Sequence, residues 1–159
     1  SVEVRALGKL QRSGFPSPSL FDCDIEESWI LISRIEGRPL YEAITDGSVG
    51  INVMESVGAL IRSLHEQGIS HGDLTTHNIL IDDSGNLSLI DFGLARGSPE
   101  LEHMGLDLQV LNECVTASHS ELEGAVESMV EGYLAAGNNE AADVVSRFEA
   151  IRGRVRYHG

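Results

Sequence analysis

A short β-hairpin bracketed by oxygen-bearing side chains constrains this chain more than any other feature. Asn78-Ile79-Leu80-Ile81 and Leu87-Ser88-Leu89-Ile90 are apolar, β-rich runs separated by the turn cluster Asp82-Asp83-Ser84-Gly85-Asn86, a pattern that predicts two antiparallel strands joined by a short loop. The stretch His71-Gly72-Asp73-Leu74-Thr75-Thr76-His77-Asn78 leads into the first strand, and Asp91-Phe92-Gly93 follows the second. A hairpin returns its two ends to one place, so Asp73, Asn78 and Asp91 are expected to converge at one edge of the sheet. Two carboxylates and an amide oxygen are hard ligands. They suit magnesium, which takes one or two carboxylates from a protein and its remaining oxygens from water and phosphate; zinc would want more His or Cys. Singly, each residue has a plainer reading: Asp73 and Asn78 as loop caps, Asp91 as a strand-end turn residue, His71 as a packed histidine. Those readings leave unexplained why all of them flank one hairpin. No such arrangement requires His77, which reads as solvent-facing.

The rest of the chain reads as helices around this unit. Val2, Leu7 and Leu10 share a stripe, so residues 2–12 predict a helix that ends at Gly14 before the loop Phe15-Pro16-Ser17-Pro18. After a turn, Trp29-Ile30-Leu31-Ile32 is a strand, and Pro39 opens a short helix over Leu40 to Ile44. Val53, Val57, Leu60, Ile61 and Leu64 fall at helical spacing before Gly68. Beyond Gly105 the pattern is wholly helical, with one helix marked by Leu122 to Leu134 and another by Val144, Val145, Phe148 and Ile151. The expected fold class is α+β.

Composition limits the function classes. With 159 residues and 42% hydrophobic side chains the chain suits one compact domain. No apolar run reaches the 18 or so residues a membrane span needs, and Ser1-Val2-Glu3-Val4-Arg5 begins nothing like a secretory signal, so a cytoplasmic protein without a membrane partner is expected. Cys23 and Cys114 stand far apart with no C-x-x-C spacing and read as two packed thiols. The formal charge is -14, from 25 acidic and 11 basic residues, which disfavours nonspecific attraction to a phosphate backbone. Any nucleic-acid contact has to be local. Lys9 is the sole lysine beside ten arginines, a bias that fits a protein solvated in high salt and equally an acidic protein of a GC-rich genome.

H-x-D-x-x-x-x-N followed by D-F-G resembles the catalytic pair of the protein-kinase-like fold, in which one Asp accepts the proton of the attacking hydroxyl while Asn and a second Asp hold the metals. More narrowly, the chain resembles the small atypical kinase family of the KEOPS (EKC) tRNA-modification complex. Four stretches carry the likeness: the loop His71 to Asn78, the metal strand Leu89-Ile90-Asp91-Phe92-Gly93-Leu94-Ala95, the segment Leu106 to Leu111 with Ala117-Ser118-His119 after it, and the ending Ile151-Arg152-Gly153-Arg154-Val155-Arg156. The resemblance implies a protein-kinase-like fold, mainly its helical C-terminal lobe with a remnant of the small lobe. It implies a magnesium-dependent ATPase or serine/threonine kinase using ATP and Mg2+, with Asp73, Asn78 and Asp91 catalytic and Asn78 and Asp91 on the metal. Its partners would be the KEOPS subunits, namely the threonylcarbamoyl-transferase subunit and a small regulatory subunit, and tRNA through the complex. Glu3 resembles the helix glutamate of the ATP site, Ile32, Ser33 and Ile35 would form the adenine hinge, and Leu80 and Ile90 its apolar floor. An ordinary buried strand explains Ile32, Leu80 and Ile90 equally well.

Several features depart from regulated protein kinases. Gly72 stands where those enzymes carry an Arg that receives an activation-loop phosphate, and only residues 94–106 lie between Gly93 and Asp107, without A-P-E. Thr75 stands where many protein kinases place a phosphate-contacting Lys. No glycine-rich phosphate loop or lysine strand precedes Glu3, so residues 1–36 read as a remnant of the small lobe, 37–151 as the helical lobe and 152–159 as a basic tail. In that tail Arg152, Arg154 and Arg156 are expected to form a flexible strip for RNA or nucleotide, with Gly153 as a bend; the alternative is a frayed, cation-rich helix end. Two rival functions remain: a small-molecule phosphotransferase of the aminoglycoside type, and a noncatalytic kinase-fold binding subunit.

Overall fold

A computed structural model describes residues 1–158, with side chains through Val155. Helix α1 (Val2–Ser13) starts where the Ser1 hydroxyl accepts the Val4 N–H and closes at Gly14. It buries Ala6, Leu7 and Leu10, whereas Val2, expected on the same stripe, is 49% exposed on the rim of an open cavity.

Strand β1 (Leu20–Asp24) pairs antiparallel with β2 (Trp29–Ile32), with an irregularity between Leu20 and Asp22. The sequence predicted only β2. Phe21 is largely exposed and Asp22 and Asp24 alternate with Cys23, so β1 lacks the apolar signature of a half-buried strand and is held by its main-chain ladder. Strand β3 (Arg38–Pro39) is followed directly by α2 (Leu40–Thr45) and pairs with β5 (Ile79–Ile81), which pairs in turn with β6 (Leu87–Leu89). Pro39 thus opens the short helix as expected and also sits on a sheet edge, where a missing N–H leaves no gap in the ladder.

Helix α3 (Asn52–Glu66) buries Met54, Val57, Leu60, Ile61 and Leu64 and leads through Gly68 to β4 (Ile69–Ser70), which pairs with β7 (Arg96–Gly97). Helix α5 (Ala125–Ala135) lies against α3 with backbone nearly on backbone. A Cβ on Gly58 would strike the Met129 carbonyl, and one on Gly132 would strike the Glu55 carbonyl. The two glycines set this close approach, which brings Tyr133 of α5 beside His65 and Arg62 of α3.

Helix α4 (Leu101–Ser118) begins ahead of Gly105 because Glu100 and His103 cap its first turn reciprocally; the His103 Nδ1 accepts the Glu100 N–H at 2.9 Å. Leu122 packs on the core from the turn before α5 and is not part of that helix. Helix α6 (Asn139–His158) buries Ala141, Val144, Phe148 and Ile151 against the rest. It also overturns the expectation of a flexible tail that bends at Gly153: the helix continues without a break through Gly153 to His158. Gly105 of α4 packs on Arg147, Phe148 and Ile151, and this seating carries α6 onward past Ile151. No helix among the described residues is long and apolar enough to cross a membrane. Cys23 and Cys114 are free and half-buried.

Candidate active site

The hairpin register decides what meets at its open end. Ile79 pairs with Leu89, Leu80 with Ser88 and Ile81 with Leu87, and the Ile90 N–H donates to the Asn78 carbonyl at 3.0 Å. Asn78 and Ile90 therefore stand opposite each other, with Asp91 one residue beyond. Because faces alternate along a strand, Asn78, Leu80, Ser88 and Ile90 share one face. Ile79 and Leu89, on the other, are fully buried in the core.

Asp73 is tied to this end from two sides. The Asn78 Nδ2 donates to the Asp73 carbonyl at 2.9 Å and to its Oδ2 at 3.3 Å. The Asp73 N–H donates to His71 Nδ1 at 3.1 Å, and His71 Nε2 lies 2.8 Å from the Ile90 carbonyl. A backbone N–H only donates and a carbonyl only accepts, so His71 must be neutral with its proton on Nε2. Fully buried beside the Phe92 ring, His71 is a packed histidine as well as the link between loop and hairpin. The hydrogen bonds close a circuit: Asp73 to Asn78, Asn78 to Ile90, Ile90 to His71, and His71 back to Asp73.

Asp107 of α4 anchors the loop from beneath. Buried at 2% exposure, it accepts the His71 N–H at 2.8 Å, the Gly72 N–H at 2.9 Å and the His65 Nε2–H at 2.8 Å. His65 Nδ1 lies 2.8 Å from the Tyr133 hydroxyl, and Arg62 Nη1 donates to that hydroxyl oxygen at 3.0 Å. Burial pushes the Tyr133 phenol up to about 12, so it keeps its proton. Arg62 is itself buried and pairs with Glu140 and Glu66 at the surface. Sequence reasoning did not assign Asp107 this role. The signal was an acidic residue set among Met104, Leu108 and Leu111 on the buried stripe of α4.

Gly72 has φ +89, and a Cβ there would strike the Leu94 carbonyl. The chain therefore excludes any side chain at the place where regulated kinases carry the phosphate-receiving Arg. Thr76 is buried, its hydroxyl 2.8 Å from His119 Nε2. His77 is exposed, as expected, with its ring stacked on Tyr41 at 4.1 Å.

Asp91 is exposed in a left-handed conformation, φ 62, and its Oδ1 accepts the Gly93 N–H at 3.5 Å. Burial, and then the Asp91 charge, raise the Glu3 carboxyl above its ordinary value. Among the described residues no cation forms an ion pair with Glu3 or Asp91. Among the described residues no trio of His, Cys, Asp and Glu is grouped closely enough to hold a metal by itself. The donors do fit magnesium, which needs few protein ligands: the Asn78 amide nitrogen is spent on Asp73, leaving its oxygen to ligate beside the Asp91 carboxylate.

The remaining expected residues are placed as follows. The Ser33 N–H donates to the Ser19 carbonyl and its hydroxyl accepts the Ser19 N–H, both at 2.8 Å, which fixes the end of β2. Ile32 and Ile35 are half-buried, Leu80 is buried and Ile90 half-buried. Among the described residues the tail arginines do not form a free strip. Arg154 and Arg147 both bind Glu102 at 2.9 Å and hold its carboxyl below the ordinary value, while Arg152 lies over the Phe148 ring and 3.8 Å from Glu149. The side chain of Arg156 lies outside the described residues.

Comparison with known proteins agrees with this geometry. Residues 27–119, more than half of the chain, match the family described as "Protein kinase domain". The chain is 38% identical over 156 residues to a probable bifunctional tRNA threonylcarbamoyladenosine biosynthesis protein of Methanosarcina mazei, and 37% identical over 156 residues to the protein of that name from Methanothermobacter thermautotrophicus. These matches cover 98% of the chain and 27% and 28% of the relatives, so the chain spans little more than a quarter of their length. It is 35% identical over 156 residues to a probable serine/threonine-protein kinase BUD32 homolog of Archaeoglobus fulgidus, covering 98% of the chain and 75% of that protein. The motif pair at the hairpin, the family match and the extent of the Archaeoglobus alignment agree, and the chain belongs to the protein kinase domain family, in its BUD32 group.

Proposed function

We propose that this chain is the phosphotransferase unit of a magnesium-dependent ATPase or atypical serine/threonine kinase that acts in the KEOPS complex supporting threonylcarbamoyladenosine modification of tRNA. The observation that carries the chemistry is the closed circuit through Asp73, Asn78, Ile90 and His71, with Asp91 at its edge. The names of the relatives support the setting. When bound, ATP and magnesium supply the phosphoryl group and the charge that neutralises its oxygens. Asp73 accepts the proton of the attacking hydroxyl or water, and Asn78 keeps that carboxylate from turning away. Asn78 Oδ1 and Asp91 would hold the metal; Glu3, whose carboxyl is raised by burial and by the Asp91 charge, belongs to the same electrostatic unit. Ile32, Ser33 and Ile35 carry the adenine hinge, with Leu80 and Ile90 as its floor on the Asn78 face of the hairpin. Phosphorylation control in the manner of regulated kinases is absent from this reading, because Gly72 offers no receptor. The end of α6, with Arg152, Arg154 and Arg156, is the cationic surface for RNA or nucleotide, and its arginines have to exchange Glu102 and Glu149 for phosphate.

The test is ATP turnover by the full gene product that contains this chain, alone and with the threonylcarbamoyl-transferase and regulatory subunits. Magnesium-dependent hydrolysis supports the reading. Absence of hydrolysis in both states, with the subunits bound, makes the chain a noncatalytic platform.

A further inference from the structure

A cavity of about 560 Å³ lies between α1 and the β4–β7 pair. Val2, Arg5, Ala6 and Lys9 of α1 form one wall, at the i, i+3, i+4, i+7 spacing of a single helix face. Ile69 and the segment from Leu94 to Ser98 form the other. Two properties of this lining bear on what it can hold. Two of its apolar residues are open to water, Val2 at 49% and Leu94 at 69% exposure, while Ala6, Ile69 and Ala95 are buried. Its charged residues, Arg5, Lys9 and Arg96, are all cations.

The formal charge is -14, and carboxylates are found for Arg38, Arg62, Arg147, Arg152 and Arg154. Among the described residues none of Arg5, Lys9 and Arg96 has one. Helix-end electrostatics explains only part of this. The Lys9 Nζ lies 3.0 Å from where a Cβ on Gly68 would stand, just beyond the C-terminus of α3, where a cation is favoured. Arg5 lies in the first half of α1, where the dipole disfavours it, and Arg96 is on a two-residue strand. Three like charges lining one cavity repel one another, and an anionic guest removes that repulsion.

We propose that this cavity receives a segment of a partner protein that carries acidic side chains next to apolar ones. The carboxylates would meet Arg5, Lys9 and Arg96, and the apolar side chains would cover Val2 and Leu94. An RNA backbone satisfies the cations only; it leaves Val2 and Leu94 exposed and has to approach through the field of a strongly acidic chain. This inference does not rest on the phosphotransfer reading, since it is argued only from the charge and exposure of the cavity lining.

The test is a titration of the full gene product, labelled at the methyl groups of valine, isoleucine and leucine, with a capped peptide of alternating glutamate and leucine. The glutamine–leucine peptide and a single-stranded RNA of equal charge serve as comparisons. The glutamate peptide should shift the Val2, Ile69 and Leu94 methyl signals and bind about tenfold or more tightly than its glutamine counterpart, the effect of a few exposed ion pairs. Replacing Arg5→Glu, Lys9→Glu and Arg96→Glu together should abolish those shifts without changing the melting temperature, since all three side chains are exposed. If the triple variant is unstable, Arg5→Gln and Arg96→Gln singly should each weaken binding. No shift at the three methyls, equal binding of the two peptides, or tighter binding of the RNA at the same residues would overturn the proposal.

Discussion

Asn78 fixes the orientation of Asp73, donating from one amide nitrogen to the Asp73 carbonyl at 2.9 Å and to its carboxylate at 3.3 Å. The amide oxygen is left free of those bonds, so one residue positions the proposed base and, in the proposed function, would also supply a metal ligand. Asn78→Ala should lower ATP turnover about 10²-fold or more, the scale of a mispositioned general base, while costing only about 1 kcal/mol of stability for half-buried hydrogen bonds. Asn78→Asp should be no better, because it places a carboxylate against Asp73. Steady-state kinetics with thermal unfolding of both variants checks this; normal turnover in either removes the positioning role.

The loop is held from below by Asp107, which accepts three hydrogen bonds inside the core. Asp107→Ala leaves the His71 and Gly72 N–H groups and His65 Nε2–H without a partner, and should destabilise the fold by about 3 kcal/mol or more. Urea unfolding measures it. A loss below about 1 kcal/mol would mean that water or a neighbouring side chain takes over, and that the network is not what sets the loop.

Gly72 should tolerate no side chain. Its positive φ and the Leu94 carbonyl directly in the path of a Cβ make Gly72→Ala destabilising by about 2 kcal/mol, through strain and a forced shift of the segment after Asp91-Phe92-Gly93. Gly72→Arg, the residue of regulated kinases, should be at least as harmful and should confer no phosphate dependence. Unchanged melting temperatures would contradict this packing.

Glu3 predicts a pH dependence. Its carboxyl is raised in the folded state by burial and by Asp91, so between the unfolded and folded values the native chain binds more protons than the unfolded one. Stability therefore falls as pH rises through that window, which lies just above the ordinary glutamate range, and the penalty is fully present at neutral pH. Glu3→Gln should raise the melting temperature at pH 7 and lose that advantage on acidification below the ordinary value. A variant less stable than wild type at pH 7 would show that Glu3 has a compensating partner.

What the sequence could show depended on how local the determining interactions are. The convergence of Asp73, Asn78 and Asp91 was legible because two period-two apolar runs and a turn cluster specify a hairpin, and a hairpin fixes its own ends. Asp107 was not, since its meaning depends on α4 packing beneath a loop distant in sequence. The same holds for Arg154: a charge run reads as a solvated tail until Glu102, on another helix, is found opposite it. Strand β1 escaped because its pairing with β2 is made by main-chain groups that leave no trace in side-chain pattern.

The most direct test of the account is ATP turnover by the full gene product carrying Asp73→Asn, measured with saturating magnesium beside the wild type. Asp73 lies on the half-buried rim of the loop, so the variant should fold with a nearly unchanged melting temperature and lose roughly 10²- to 10⁴-fold in turnover. Turnover within a few-fold of wild type, in a variant that folds normally, would contradict the assignment of Asp73 as the base and with it the reading of the hairpin edge as the active site.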